Sequence, residues 1–285
     1  MNSFSYVRPT TVDETVALLD EYGTDAKLLA GGTDLLVNLR SHRMLPRLII
    51  DVKRVAELTT GIEEADGALR FSATASMTDV IGDERVRRYY PALVEAAAVV
   101  GSIQIRNRAT LAGNVCNASP AADTVPALLV YGAEVTVMGR SGTRHVLLDD
   151  FLVGPGETVL EVGEIVTAIS LPIPSRPAGA TFGRVTRRRG VDLATISLCC
   201  LVDSDGTTTF AYGAVAPRPF LVRDHSGLLA DRGADERARA ATLREMIGHA
   251  SPITDVRASA EYRQAMLDVM SRRALDGAID RLAAA

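Results

Sequence analysis

Cysteine is scarce in this chain of 285 residues, and the three present, Cys116, Cys199 and Cys200, are not arranged for structural or redox duty. An odd total that includes two adjacent residues argues against a disulfide framework. No CxxC pair or four-cysteine set exists to hold an iron–sulfur cluster. Cys199 and Cys200 lie in the apolar stretch Ile196–Val202 and read as buried thiols. Cys116 sits inside a glycine-bearing turn, where a reactive role stays open. The four histidines are scattered without HExxH-like spacing, so no metal site is indicated. Basic excess is also missing. Lysine and arginine total 31 against 35 acidic residues, a net charge of −4 that gives a nucleic acid nothing to bind, and Arg187–Arg188–Arg189 is too short to reverse this. No apolar run approaches membrane-spanning length, and the N-terminus lacks a basic-then-apolar leader, so no transmembrane segment and a cytoplasmic location are expected. Ser119 lacks a Gly-x-Ser-x-Gly frame or a nearby histidine, and no residue stands out as a catalytic nucleophile or general base. No internal repeat or low-complexity tract is present.

Two short glycine-bearing stretches, about eighty residues apart, stand out against this background. The first is Leu28-Leu29-Ala30-Gly31-Gly32-Thr33-Asp34-Leu35, and the second runs from Thr110 through Gly113, Asn114, Cys116 and Asn117 to Asp123. Each is a small-residue turn beside an apolar run. Paired glycines allow unusual backbone angles and close approach of a ligand or another backbone. Successive free N–H groups in such a turn form a concavity for phosphate oxygens, and a helix starting near Thr33 would add its positive end. Two such loops can grip one diphosphate from opposite sides. Taken singly, each is equally an ordinary tight turn.

Hydrophobic residues make up 47% of the chain, enough to build cores for two or three compact units. In residues 1–57, strand and helix patterns alternate. Phe4 to Val7 reads as a strand, and Thr11-Val12-Asp13-Glu14 as a capping box opening a helix that Gly23 stops. Lys27 to Ala30 is a short strand entering the first glycine turn, Leu35, Leu36 and Leu39 mark a short helix, and Leu48 to Val52 is a buried strand. Residues 58–177 mix both types. Leu69, Phe71 and Ala73 alternate as a half-buried strand, Pro91 to Val100 and Pro126 to Val130 read as helices, and Ser141-Gly142 as a hairpin turn after Val135 and Val137. Leu171 to Pro177 is proline-rich and reads as a linker. In residues 178–285, Leu193 to Val202 and Thr207 to Val215 pair as strands through Asp203–Gly206. Helices follow from about Asp235 to Gly248 and at the end of the chain. That last helix places Tyr262, Met266, Val269, Met270, Leu275, Ile279 and Leu282 on one side, for core packing or a subunit contact.

The order and wording of these motifs carry a resemblance. Ala-Gly-Gly-Thr-Asp-Leu, followed at this distance by Thr-Leu-x-Gly-Asn-x-x-Asn-Ala-Ser-Pro-x-x-Asp, resembles the FAD-binding medium subunit of molybdenum hydroxylases, the carbon monoxide dehydrogenase and xanthine dehydrogenase family. The match extends from Phe4-x-Tyr6-x-x-Pro9 through Phe182-Gly183-Arg184, Arg188 and Asp192-Leu193-Ala194 to Asp255–Arg263. It implies an α+β chain: a PCMH-type FAD-binding fold of two α/β subdomains, then a C-terminal α+β domain of strands packed on helices.

The same resemblance implies FAD as cofactor. Leu29, Ala30, Gly31, Gly32, Thr33, Asp34 and Leu35, with Thr110, Ala112, Gly113 and Asn114, would surround its diphosphate, mainly through backbone N–H groups, with hydroxyl bonds from Thr33 and Thr110. Asn114 would meet polar cofactor atoms or pin its own loop. Asp123 aligns with an acidic position near the flavin, though it also precedes Thr-Val-Pro-Ala as a helix cap would. Arg184 stands where the family often has lysine, either as a cation near the flavin or as a solvated residue beside Arg187–Arg189. Val100 and Ile165 would touch the ring, or serve the core. Ala112 replaces a commoner glycine, which tightens the turn but is tolerable at negative φ. The implied partners are a small subunit with 2Fe–2S clusters, a large molybdopterin subunit and an external acceptor, NAD, a quinone or oxygen. Two alternatives stay open: a stand-alone flavoenzyme of the same fold, and a non-redox subunit that has lost FAD.

Overall fold

The N-terminal alternation closes into a small parallel sheet in the computed structural model, which describes residues 3–285. Strand Leu48–Asp51 lies between Ser5–Val7 and Ala26–Leu29 and runs parallel to both. Helix Val12–Tyr22 supplies one crossover that parallel pairing requires. The Thr11 hydroxyl caps this helix by accepting the Glu14 N–H at 3.2 Å. The expected box closes one residue early: Glu14 Oε2 accepts the Thr10 N–H at 2.7 Å, not that of Thr11. Gly23 ends the helix at φ +52°, a conformation other residues resist.

A five-stranded antiparallel sheet follows, in the order Ile62–Ala65, Ala68–Ser72, Ile165–Pro172, Glu134–Gly139, Gly142–Leu147. Leu69 and Phe71 point inward and Arg70 outward, as the alternation predicts. In the hairpin, Gly139 pairs with Gly142, so Arg140 and Ser141 form the loop and Gly142 already starts the returning strand. The proline-rich linker is shorter than predicted, because Leu171 and Pro172 complete a strand. Both carbonyl oxygens are held by the Tyr90 hydroxyl, at 3.0 and 2.9 Å.

The third sheet is an antiparallel meander of Ala178–Val185, Ile196–Asp203, Thr208–Gly213 and Phe220–Asp224. Its second strand begins at Ile196 rather than Leu193, and Leu193 is 58% exposed. Alternation along this strand sorts its residues between two cores. Ile196, Leu198, Cys200 and Val202 pack with Leu267, Leu275 and Ala278 of the last helix, Ala260–Ala283. Cys199 and Leu201 face the opposite way, into the large core that includes Val125 and Leu128 of helix Thr124–Val130. Both thiols are fully buried, and burial pushes their pKa values far up.

The last helix turns most of the predicted side inward: Leu275 is buried, and Met266, Met270, Ile279 and Leu282 pack against the same core. Tyr262 and Val269 are exposed, while Arg263, Leu267, Ser271, Ala274, Leu275 and Ala278 are buried. Small side chains set this contact, because they let backbones approach. A Cβ on Gly179 would stand 2.0 Å from the Ala278 carbonyl oxygen and 2.4 Å from the Leu282 nitrogen. Gly179→Ala is therefore expected to cost about 1–3 kcal/mol, the usual penalty of overpacking, lowering the melting temperature by several degrees. Gly82→Ala, where a Cβ meets nothing within 4 Å, is the neutral control in the same thermal melt.

Candidate functional site

Between the parallel sheet and the antiparallel one lies a cavity of about 870 Å³, at the upper end of small-molecule sites. Both glycine segments line it. So do all but two of the residues predicted for the cofactor: Ala30, Gly31, Gly32, Thr33, Asp34, Leu35, Val100, Thr110, Ala112, Gly113, Asn114, Asp123 and Ile165. Leu29 is not among the lining residues, because its side chain folds under the turn, with Cδ1 2.8 Å from where a Gly32 Cβ would stand. Arg184 does not line the cavity either; it is engaged with Asp123.

The first segment is an amide cradle. It leaves strand Ala26–Leu29 and enters the short helix Leu35–Arg40, with Gly32 at φ +79°. Among the described residues, no protein acceptor takes the N–H of Gly31, Gly32, Thr33 or Asp34. Asp34 precedes the helix but makes no side-chain cap bond. Lys53 steadies the segment from behind, with Nζ 2.6 Å from Asp51 Oδ1 and 3.4 Å from the Ala30 carbonyl oxygen. Asp51 is itself nearly buried. Burial pushes its carboxyl up, but bonds from the Lys53 side chain and the Tyr6 hydroxyl prevail and hold it below the usual range.

The second segment is not a free loop but the first turn of helix Leu111–Cys116, capped by the Thr110 hydroxyl, which accepts the Gly113 N–H at 3.0 Å. Its amides are mostly used internally. Leu111 donates to the Ala75 carbonyl and Asn114 to that of Thr110, which leaves the N–H groups of Thr110 and Ala112 without a protein acceptor in this segment. Three of the five N–H groups from Thr110 to Asn114 are thus taken within the protein. Gly113 is small so that the capping hydroxyl fits, since a Cβ there would lie 2.7 Å from Thr110 Oγ1. Ala112 is helical and 4% exposed, so its methyl group is accommodated. Asn114 Oδ1 accepts the Thr124 hydroxyl at 2.7 Å, pinning the segment to the next helix.

Asp123 forms part of the cavity wall at 8% exposure. It makes no cap bond to the helix that follows, so the capping alternative falls. Its Oδ2 accepts from Arg184 Nη1 at 2.7 Å, while Oδ1 is enclosed with no hydrogen-bond partner. Burial pushes the carboxyl up to about 6, against the opposing pull of Arg184. The Arg184 side chain is only 13% exposed, which overturns the solvated alternative. Cys116 also lines the cavity, and burial pushes its thiol up to about 12, so it stands protonated and unsuited to nucleophilic attack.

Residues without an assigned role in the sequence also reach the cavity, including Lys27, Ile105, Arg188, Val191, Asp192 and Leu193. The last four come from the loop between the first two strands of the third sheet. Their signal was present: Arg188 and Asp192-Leu193-Ala194 belong to the resemblance. The support from Asp51 and Lys53 was signalled only by a charge at the end of a buried strand.

Gly31 abuts the two residues that lead into the second segment. A Cβ there would lie 2.1 Å from the Arg108 carbonyl oxygen and 3.0 Å from Ala109 Cα. Gly31→Ala is expected to push the segments apart, costing about 1–3 kcal/mol and weakening cofactor binding at least tenfold. Gly113→Ala meets a side-chain hydroxyl that can rotate away, and should do less on both counts. Thermal melts and FAD titration of the two variants provide the comparison.

Comparison with known proteins gives this geometry its context. The family model for the FAD binding domain in molybdopterin dehydrogenase matches residues 2–174, and that for the CO dehydrogenase flavoprotein C-terminal domain matches residues 181–278. The chain is 32% identical to the carbon monoxide dehydrogenase medium chain of Hydrogenophaga pseudoflava, over 98% of each. It is 31% identical to the putative xanthine dehydrogenase FAD-binding subunit of Escherichia coli K12, over 96% of each. A solved structure of carbon monoxide dehydrogenase from Hydrogenophaga pseudoflava superposes with a TM-score of 0.89 at 32% identity, covering 98% of both chains. Quinoline 2-oxidoreductase from Pseudomonas putida 86 superposes at 0.86, with 26% identity and the same coverage. The cavity fits FAD on three counts: unpaired amides for a diphosphate, an enclosed unpaired acceptor at Asp123, and apolar walls at Val100 and Ile165. Together, the two family models and these relatives establish that the chain belongs to the FAD-binding subunits of the molybdenum hydroxylases, an oxidoreductase family.

Proposed function

We propose that the chain is the electron-transfer subunit of a molybdenum hydroxylase complex. In this reading, electrons arrive from the 2Fe–2S clusters of a small partner subunit, leave to an external acceptor (NAD, a quinone or oxygen), and originate at the molybdopterin of a large subunit. The observation that carries it is the convergence on one cavity of free amides, an enclosed carboxylate oxygen and apolar walls, in a chain of this family. FAD, when bound, supplies the redox chemistry by accepting electrons singly and releasing them in pairs.

What the chain contributes is position and environment. Gly31 to Asp34 present N–H groups to a diphosphate, and the Lys53 contact keeps their segment in place. Thr110 and Ala112 add two amides from the second segment, while the side-chain oxygens of Thr110 and Asn114 hold the helix. Val100 and Ile165 provide apolar surface at the cavity wall. The organisation into residues 1–57, 58–177 and 178–285 belongs to the same proposal. It is supported by one main sheet in each span, the second span adding only the two-stranded pair Leu152–Gly154 and Glu157–Thr158, and the cavity lies where the first two meet and the third contributes a loop. No helix among the described residues is long and apolar enough to cross a membrane; a cytoplasmic site of action is part of the proposal.

Anaerobic absorption spectroscopy tests this directly. The purified chain is expected to carry close to one equivalent of flavin and to bleach when mixed with the reduced iron–sulfur subunit. Bleaching by a small organic donor alone, with no response to that subunit, would instead identify a stand-alone flavoenzyme. A colourless chain that refuses added FAD would remove both.

A further inference from the structure

Arg184 occupies the position at which the family resemblance predicts a cation beside the flavin, yet its side chain is committed elsewhere. It sits on strand Ala178–Val185, opposite Ser197, and its guanidinium meets Asp123 across 61 residues of sequence. The ion pair is short, at 2.7 Å, and neither side chain is more than 13% exposed. Asp123 lines the cavity and Arg184 does not. The arginine takes Oδ2, and the second oxygen, Oδ1, is enclosed without a donor. An acceptor left unpaired in a buried wall costs free energy unless something supplies a proton to share.

Resting on the reading that this cavity holds FAD, we infer that Arg184 is a positioning residue. It holds Asp123 in place and ionised in the cavity wall, so that the carboxylate can accept an N–H or O–H of the bound flavin, and it does not itself touch the ring.

Two physical points support this. First, an isolated carboxyl in such a wall would take up a proton and lose half its acceptor capacity. Burial already raises Asp123 to about 6, and Arg184 is what opposes that rise. Second, little else nearby can do the same. Helix Thr124–Val130 carries no charged residue, and helix Leu111–Cys116 brings only Asn114 and a protonated thiol. The loop that lines the same cavity brings Arg188 and Asp192. Arg188 places its Nε on the Val191 carbonyl oxygen, and Arg187 and Arg188 are the cations near Asp192. Lys27 and Asp34 line the cavity without bonding Asp123.

The sign of the pH dependence follows. Above about 6 the carboxylate is ionised and accepts; as pH falls through that value it becomes protonated and binding weakens. FAD affinity, followed by flavin fluorescence from about pH 5 to about pH 8, should be flat near neutrality and fall below that step. Asp123→Asn should bind about ten- to a hundredfold more weakly at neutral pH, the scale of a lost charged hydrogen bond, with no step. Arg184→Met should move the step upward, recovering much of its affinity at the alkaline end. Arg184→Lys keeps the charge and should hold the step close to the wild-type position, which covers the case of a methionine variant that does not fold. With FAD methylated at the ring imide nitrogen, loss of the step assigns the donor to the ring, and its persistence assigns it to a ribityl hydroxyl. A step that stays in place in Arg184→Met, or variants that bind like the wild type across the whole range, overturns the inference while leaving FAD binding intact. A wild-type chain that binds no FAD at any pH overturns the reading beneath it.

Discussion

The site depends on one close approach between backbones. Gly31 faces the Arg108 carbonyl with no room for a side chain between them. Each side of that contact is fixed to a different sheet. The first segment hangs from the parallel sheet, with Lys53 and Asp51 beneath it. The second is tied to the end of the antiparallel sheet and the helix after it: Met77 donates to the Ala109 carbonyl, Leu111 to that of Ala75, and Ser76 bridges Thr110. Glycine at position 31 therefore serves the joint before it serves any ligand. With the joint closed, free amides and the helical turn face a common space.

The two segments, similar in composition, divide the work unequally. Residues 31–34 leave their amides open, at some cost in unpaired donors, and this is how an anion site is prepared. The Thr110 turn satisfies three of its five donors, so that its contribution is more shape and rigidity than open amides. A diphosphate placed here would be held chiefly from one side. The hydroxyl of Thr110 is committed as a cap acceptor but still has a proton to give.

Legibility in the sequence followed length and local chemistry. Helix Val12–Tyr22 was visible because eleven residues complete three turns and Gly23 marks the stop. The strand with Leu69 and Phe71 was visible because one of its faces is polar. Helices Ile103–Arg106 and Leu111–Cys116 were not, since four to six residues show no period, and Gly113 reads as a turn. The core side of the last helix was legible except at Tyr262 and Val269, which are exposed. Hydrophobicity marks both residues, whereas the close approach to the sheet is made by the backbone at Ala278 and Leu282 against Gly179. Most of the candidate site was legible as motif, because short runs such as Ala30–Leu35 keep neighbours together. The Asp123–Arg184 pair was not, because nothing local in a sequence records a contact across 61 positions.

That pair has a counterpart on the backbone side, and the two together explain why a buried arginine is retained in the last helix. Arg263, 1% exposed, donates through Nη1 to the carbonyl oxygens of Thr195 at 3.1 Å and Ala214 at 2.6 Å. Its charge is balanced by Asp255, 2.6 Å from Nη2. Burial raises the Asp255 carboxyl, but the Arg257 amide and the two guanidinium groups prevail and hold it well below the usual range. Ala214 stands at φ +63°, an angle unfavourable for alanine, and its N–H donates to the Pro120 carbonyl at 2.6 Å. Pro120 is three residues before Asp123, and between them Ala121 packs against Ala194 and Ala214. The chain thus reaches the cavity wall by two routes from the third sheet. Arg184 holds the carboxylate of Asp123, and Arg263, acting through Ala214, holds the backbone that carries it. An apolar residue at 263 would fill the same volume but leave two carbonyl oxygens unpaired at the ends of adjacent strands, next to the loop that brings Leu193 to the cavity. The charge is buried there because no uncharged side chain supplies three donors in one plane.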